Sequence, residues 1–183
     1  RRAGVAAIYQ EFSLVPALTV RENLFLGAEP RRGPWTDAAA ERERARAALA
    51  RLGAEIDPEA PVRDLDVARQ QLVEIARALL GEARLLILDE PTAALTPRES
   101  DALLALLGEL RGRGAAILFV SHRLDEVARI ADRVTVLRDG ETLGTWAAAD
   151  LDRERLIEKM VGRPLDQEFP KAAAPRGEPL LEV

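Results

Sequence analysis

Short, unbroken apolar runs alternate along the chain with longer segments in which apolar residues recur at helical spacing. The runs cover residues 5–9, 85–88 and 115–120, and each has the length of a strand buried on both faces. Helical spacing is clearest after Asp66, a plausible N-cap, where the apolar residues share one face. They are Leu72, Val73, Ile75, Ala76, Leu79 and Leu80. This alternation predicts an α/β domain with a largely parallel sheet.

Capping residues and turn residues place the remaining elements. Thr36 reads as the N-cap of a charged amphipathic helix, and Gly53 as its stop. Asp139 and Gly140 predict a tight turn inside a hairpin over residues 134–146. The charged helix covers residues 37–52, and further helices are predicted over residues 97–110, 124–131 and 151–161. Residues 21–26 could form a helical turn, and residues 30–34 a turn-rich link.

Composition narrows the class of protein. The 183 residues are 48% hydrophobic and 31% charged, which suits roughly one globular domain. The net charge of −5 gives no basic excess for nucleic acid or anionic lipid. Without cysteine there are no disulfides or thiol nucleophiles, and the single histidine excludes a multi-histidine metal site. No apolar run approaches the ~18 residues of a membrane span.

Two adjacent carboxylates follow the second apolar run. Asp89 and Glu90 come at the carboxyl end of this predicted strand, where ligands gather in open parallel sheets. Asp89 is placed to hold a phosphate-bound magnesium ion, and Glu90 to polarise an attacking water. The alternative is that both acids are solvated residues that merely follow a strand.

A histidine and a glutamine follow the other two predicted strands. His122 comes just after the third run and would lie beside Glu90 if the two strands are neighbours. It could then hydrogen-bond a terminal phosphate or the attacking water, although a lone histidine is more often structural. Gln10 follows the first run, and its neutral amide could reach the magnesium or the water. By itself, a glutamine in a loop is ordinary.

In order and spacing, these residues resemble the nucleotide-binding domains of ABC transporters. Residues 8–16 are similar to the Q-loop, 85–90 to the Walker B strand, and His122 to the switch histidine. The residues similar to the D-loop are Ala94, Leu95 and Thr96. The resemblance implies a P-loop NTPase-like sheet with an inserted α-helical subdomain, and ATP and Mg²⁺ as cofactors. It places Gln10 and Asp89 at the magnesium ion and makes Glu90 and His122 catalytic.

Several shorter phrases resemble the sugar-importer branch, whose ATPases contain two fused nucleotide-binding halves. They cover residues 9–11, 14–16, 22–27, 70–79 and 160–163. This resemblance implies that the protein lies peripherally at the cytoplasmic face of the plasma membrane. The implied partners are transmembrane permease subunits, a second ATPase half in the same chain or a dimer mate, and indirectly an extracellular or periplasmic sugar-binding protein. Nucleic acid is not among them.

We expect the chain to be the rear part of a first ATPase half plus a linker. It begins without methionine, and its last four residues read like the start of a strand. The expected divisions are the end of a core strand with the Q-loop (1–13), the helical subdomain with the signature motif (14–80), the ATPase core (81–149), a C-terminal helix (150–163), and a linker with the first strand of a second half (164–183).

Two features depart from the family pattern. The first strands and the Walker A loop are missing, because no glycine-rich loop ending in Gly-Lys-Ser or Gly-Lys-Thr is present. The isolated chain is therefore expected neither to bind ATP tightly nor to hydrolyse it. The family's Leu-Ser-Gly-Gly-Gln signature is replaced here by Leu65, Asp66, Val67, Ala68 and Arg69.

Asp66 puts a carboxylate where the signature serine of the family meets a phosphate. Two such charges ~4 Å apart repel by about 4 kcal/mol at an effective dielectric near 20, and Arg69 could offset part of this. One of two composite ATP sites would then be weakened or non-hydrolytic. Alternatively, Asp66 turns away and only caps its helix. Thr96, where many ABC proteins have aspartate, is common in the sugar branch.

Two rival functions share many of these features. A soluble ABC-type ATPase acting on DNA or ribosomes would have the same acidic pair and histidine, although the acidic charge balance disfavours it. A non-catalytic regulatory fragment would fit the missing phosphate loop and Asp66.

Overall fold

The computed structural model describes residues 4–9, 12–81, 83–151 and 153–161, within two compact units, Arg1–Ile130 and Ala131–Val183. The first unit contains, in chain order, β1 (Val5–Ile8), α1 (Val20–Phe25), β2 (Arg31–Arg32), β3 (Trp35–Thr36), α2 (Ala38–Arg51), α3 (Val67–Leu79), β4 (Leu85–Asp89), α4 (Pro97–Gly112), β5 (Ala116–Val120) and α5 (Leu124–Ile130). The second contains β6 (Arg133–Arg138), β7 (Glu141–Ala147) and α6 (Arg153–Val161).

The central sheet of the first unit has the strand order β1-β4-β5, and both pairings are parallel. Ile8 lies opposite Leu88, and Asp89 lies opposite Val120. Apolar side chains of β1 and β4 share one buried cluster with leucines of α4. The predicted α/β fold with a parallel sheet is confirmed, and the carboxyl ends of three strands meet at one edge.

Strand β5 differs from its predicted burial on both faces. Ile117 and Phe119 pack against the core, whereas Leu118 and Val120 are 54% and 45% exposed. Successive side chains of a strand point to opposite faces of the sheet, and the face of β5 that carries Leu118 and Val120 is the one that meets solvent in the described residues. An apolar run predicts a strand whose two faces can both be buried, but the elements that pack against the strand decide whether both are.

Helices α1, α2 and α3 pack on one another beside the sheet. On α3, the predicted apolar face is buried from Leu72 to Ala76, with Leu79 and Leu80 half-buried. Asn23 of α1 is fully buried, and its side chain accepts from the Val15 N–H at 2.7 Å and donates to the Val15 carbonyl at 3.0 Å. This buried amide holds the loop before α1 against the helices.

The start of α2 corrects one sequence prediction. Asp37 is the N-cap, and its side chain accepts from the Ala40 N–H at 3.0 Å. Thr36 belongs instead to β3, where it pairs with Arg31, so the predicted turn-rich link contains β2 and the turn between β2 and β3. Both residues are good caps in isolation, and backbone pairing of Thr36 leaves the role to Asp37.

The second unit contains the predicted hairpin. β6 and β7 pair in antiparallel register, and Asp139 and Gly140 between them have φ of 53° and 81°. Positive φ at two consecutive residues fits a type I′ turn, whose backbone twist matches that of the flanking strands. The Lys159 ammonium of α6 lies 4.7 Å from the centroid of the Trp146 ring. The predicted linker and the last four residues lie outside the described residues.

Candidate functional site

The site is built where β4 and β5 end side by side. Asp89 is the last residue of β4, and the N–H of Glu90 still donates to the Val120 carbonyl at 3.0 Å. This bond continues the ladder one residue beyond β4, which fixes the Glu90 backbone next to the end of β5. His122 follows two residues after Val120, so both side chains emerge at the same edge of the sheet.

A carboxylate and an imidazole meet at this edge. Nδ1 of His122 lies 3.0 Å from Oε1 of Glu90. The His122 side chain is 67% exposed and that of Glu90 is 35% exposed, so the pair is open to solvent. A carboxylate held by a hydrogen bond and reachable by water has the arrangement expected of a base that orients a nucleophile. The structure thus brings together two residues that sequence reasoning placed beside each other.

The Glu90 backbone is held in an uncommon conformation. Its φ is 46°, and Asp139 is the only other non-glycine residue with positive φ in the described part of the chain. Such a conformation costs on the order of 1–3 kcal/mol and persists only where neighbouring contacts fix it. Here the Glu90 carbonyl accepts from the Ala93 N–H at 3.2 Å, which closes a turn directly after the strand.

Three residues around this turn were not singled out from the sequence. The Thr92 hydroxyl donates to Oε2 of Glu126 at 2.7 Å, and both residues are buried. Arg123, next to His122, lies 2.8 Å from Oε1 of Glu126. Thr92 and Glu126 are 34 positions apart, so no local sequence pattern links them.

Asp89 is the carboxylate that the sequence predicts to hold magnesium. It is half-buried at the strand end, whereas Gln10 lies outside the described residues. No cluster of three or more His, Cys, Asp or Glu side chains within the described ranges could enclose a metal. One carboxylate fits magnesium, which usually binds through one or two carboxylates and keeps phosphate and water ligands.

The predicted signature motif spans the start of α3: Leu65 and Asp66 precede the helix, and the other three residues form its first turn. Asp66 caps α3, and its side chain accepts from the Arg69 N–H at 2.8 Å, with Nε of Arg69 3.8 Å from Oδ2. Val67 is 60% exposed, whereas Leu65 and Ala68 are half-buried. The capping role of Asp66 is confirmed, and its carboxylate also has the arginine neighbour that could offset its charge.

The predicted D-loop directly follows the turn after Glu90. Leu95 is buried, while Ala94 and Thr96 are exposed. Thr96 caps α4, and its side chain accepts from the Glu99 N–H at 3.3 Å while Glu99 reaches back to the Thr96 N–H at 2.8 Å. This capping box gives Thr96 a structural role that is independent of any nucleotide.

A cavity of 320 Å³ opens between β1, α1 and α3. Its lining includes Ala6, Phe25, Arg44, Glu74, Arg77 and Leu80. Glu74 is 3% exposed and its Oε1 accepts from the Ser13 N–H at 3.0 Å and the Ser13 hydroxyl at 2.6 Å. Arg77 pairs with the same oxygen at 2.7 Å and also contacts Ser13. The segment after Gln10 is therefore bonded to α3 beside an apolar and charged cavity.

Comparison with known proteins agrees with this architecture. A dimeric ATP-binding cassette solved in a post-hydrolysis state with ADP and Pi superposes with a TM-score of 0.69 at 26% identity, over 79% of this chain and 62% of that one. A second dimeric bacterial ABC transporter cassette gives a TM-score of 0.68 at 28% identity, over 78% of this chain and 62% of that one. The fold class is thus that of a P-loop NTPase-like ABC cassette.

The family follows from sequence. The profile described as ABC transporter matches residues 1–93, and the chain belongs to this family. It is 51% identical to the ribose import ATP-binding protein RbsA 3 of Rubrobacter xylanophilus, over all of this chain and 37% of that protein. It is 48% identical to a putative ribose/galactose/methyl galactoside import ATP-binding protein of Burkholderia cenocepacia, over 99% of this chain and 35% of that protein. The chain thus spans little more than a third of these relatives.

No helix in the described ranges has the length and apolar character needed to cross a membrane.

Proposed function

We propose that this chain is part of the ATP-hydrolysing subunit of an ABC importer that energises the uptake of a monosaccharide. The observation that carries the proposal is the 3.0 Å contact between Glu90 and His122 at the strand ends of an ABC cassette. The names of the relatives, which describe ribose and galactose import, support the substrate class.

In this proposal each side chain at the strand ends has a separate task. Glu90 accepts a hydrogen bond from the attacking water and polarises it, which increases its nucleophilicity. His122 holds the Glu90 carboxylate and is exposed enough to reach a terminal phosphate. Asp89 and Gln10 would hold Mg²⁺, which supplies positive charge to the phosphate oxygens when it is bound.

The signature and D-loop residues are proposed to face a second ATPase half. Asp66, Val67 and Arg69 are exposed at the start of α3, and a helix N-terminus favours anions. Ala94 and Thr96 are exposed beside the Glu90 turn. Residues 1–13 would form the end of a core strand and the Q-loop, and residues 14–80 the helical subdomain. Residues 81–149 would form the ATPase core, and residues 150–163 a C-terminal helix. Residues 164–183 would lead into the second half.

The cavity beside α3 supports docking of a transmembrane permease at the cytoplasmic face of the membrane. It combines apolar walls with Arg44 and Arg77, and it adjoins the Ser13 segment that follows Gln10. An element of the permease that filled it would touch α1 and α3 and would reach Arg77, which contacts Ser13. An extracellular or periplasmic sugar-binding protein would act only indirectly, through the permease.

The decisive experiment uses the complete protein reconstituted with its permease in vesicles. Sugar and its binding protein should stimulate ATP hydrolysis, and Glu90→Gln should reduce the rate by on the order of 10³-fold while ATP still binds. ATP hydrolysis stimulated by ribosomes or DNA, and not by the permease, would contradict the proposal. A Glu90→Gln protein with wild-type turnover would contradict the assigned role of that residue.

A further inference from the structure

A buried carboxylate connects the two loops that carry Glu90 and His122. Glu126 of α5 is 5% exposed, and neither of its oxygens is needed in the proposed hydrolysis chemistry. Oε2 accepts from the Thr92 hydroxyl at 2.7 Å, and Oε1 lies 2.8 Å from the Arg123 guanidinium. Thr92 is two residues after Glu90, and Arg123 is the residue after His122. One side chain therefore joins the two loops.

Thr92 is fixed by its backbone as well as by its hydroxyl. It is 1% exposed, and its carbonyl accepts from the Leu95 N–H at 3.1 Å and from the Arg123 guanidinium at 3.4 Å. Arg123 thus contacts both Thr92 and Glu126. Separating the two loops would break the hydrogen bonds from Thr92 to Glu126 and from Arg123 to Thr92, and it would leave the buried polar groups of Thr92 and Glu126 without these partners, which is costly.

We infer that Thr92, Glu126 and Arg123 form a clamp that positions Glu90 against His122. The inference rests on the proposed function, because it concerns the geometry of the same site. The members of the clamp act through the backbones of the two loops, so they are positioning residues. The left-handed backbone of Glu90 is the feature that needs such support, since a conformation of this kind relaxes when its surroundings loosen.

The test is steady-state ATP hydrolysis by the complete, permease-bound ATPase. Thr92→Val replaces the hydroxyl with a methyl group of nearly the same shape. We expect kcat to fall roughly tenfold with the KM for ATP within about twofold, because misplacement of the reacting groups affects turnover more than ground-state binding. Thr92→Ser, which restores the hydroxyl, should retain wild-type kcat.

The kcat of a double variant distinguishes one clamp from two independent contacts. Glu126→Ala should lower kcat as Thr92→Val does, and the double variant should be no worse than the poorer single variant, because both changes break one link. Asp101→Asn is the matched control. Asp101 of α4 pairs with Arg129, which lies on α5 together with Glu126. The substitution removes the Asp101 carboxylate from this pair and should leave kcat unchanged.

Four outcomes would overturn the clamp: wild-type kcat in Thr92→Val, additive losses in the double variant, no rescue by Thr92→Ser, or an equal loss in Asp101→Asn. Thermal unfolding of every variant shows which of them fold. If Thr92→Val does not fold, Glu126→Gln weakens only the charge pairing with Arg123. It should lower kcat roughly threefold at constant KM, and wild-type kcat would overturn the inference. A wild-type protein without ATPase activity would instead overturn the proposed function itself.

Discussion

Nδ1 of His122 lies 3.0 Å from Oε1 of Glu90, although the two residues are 32 positions apart in the chain. The contact exists because β4 and β5 are adjacent and parallel, so that the segments following them leave the same edge of the sheet. The His122 side chain is exposed and that of Glu90 is partly exposed, so either residue can be substituted with little disturbance of the core.

His122→Ala should lower the ATPase kcat of the complete transporter by about 10²-fold, because the Glu90 carboxylate loses its hydrogen-bond partner and the terminal phosphate loses a contact. Since the His122 side chain is 67% exposed, the unfolding temperature should change little. Turnover and thermal unfolding measured on one preparation check both statements. Wild-type turnover would count against any catalytic role for this histidine.

Asp66→Ser should raise the rate of ATP hydrolysis of the complete transporter if the Asp66 carboxylate repels a phosphate in a second composite site. Serine also caps a helix, so α3 should keep its start. Asp37→Ser makes the same cap exchange on α2 and serves as the control. An unchanged rate in Asp66→Ser would mean that this residue only caps its helix.

The isolated 183-residue chain should show no micromolar affinity for ATP by calorimetry. It has no Gly-Lys-Ser or Gly-Lys-Thr loop, and its two lysines, Lys159 and Lys171, lack that context. The complete ATPase is the positive control. Tight binding by the isolated chain would show that the strand-end residues bind nucleotide without such a loop.

Glu74→Ala should lower the free energy of unfolding of the complete protein by roughly 3 kcal/mol, because it removes a buried partner of Arg77 and leaves Ser13 without its acceptor. Glu109→Ala is the control, since Glu109 pairs with Arg51 at the surface and should cost at most about 1 kcal/mol. Chemical unfolding measures both. Equal effects would show that the Glu74 network adds little stability.

The packing of α1 and α2, which carry Arg21 and Arg42, should lose stability in acid because both arginines bind the Glu59 carboxylate. Hydrogen bonds from Arg21 and then Arg42 hold the pKa of the Glu59 carboxyl below its usual value of 4.5. The resulting stabilisation is present above pH 4.5 and is lost as the pH falls through the lower pKa of the folded state. Unfolding measured from pH 6 to 3 should depend less on pH in Glu59→Gln, and an identical dependence would contradict this.

The sequence by itself determined the elements whose signals are local. Apolar runs located β1, β4 and β5, one apolar face located α3, and Asp66 and Gly53 marked a helix start and a helix stop. The Asp139 and Gly140 turn was readable for the same reason, since its conformation depends on adjacent residues alone. The order of Glu90 and His122 after two runs also predicted that they would meet, provided that the runs were neighbouring parallel strands.

Only the tertiary structure decided relationships that depend on which elements pack together. It made Asp37 rather than Thr36 the cap of α2, because Thr36 pairs with a strand. It left one face of β5 exposed, and it joined Glu126 to Thr92 over 34 positions and Glu74 to Ser13 over 61. Hydrophobic periodicity reports which side of an element avoids water, but the partner of a buried polar group is fixed by packing between distant segments.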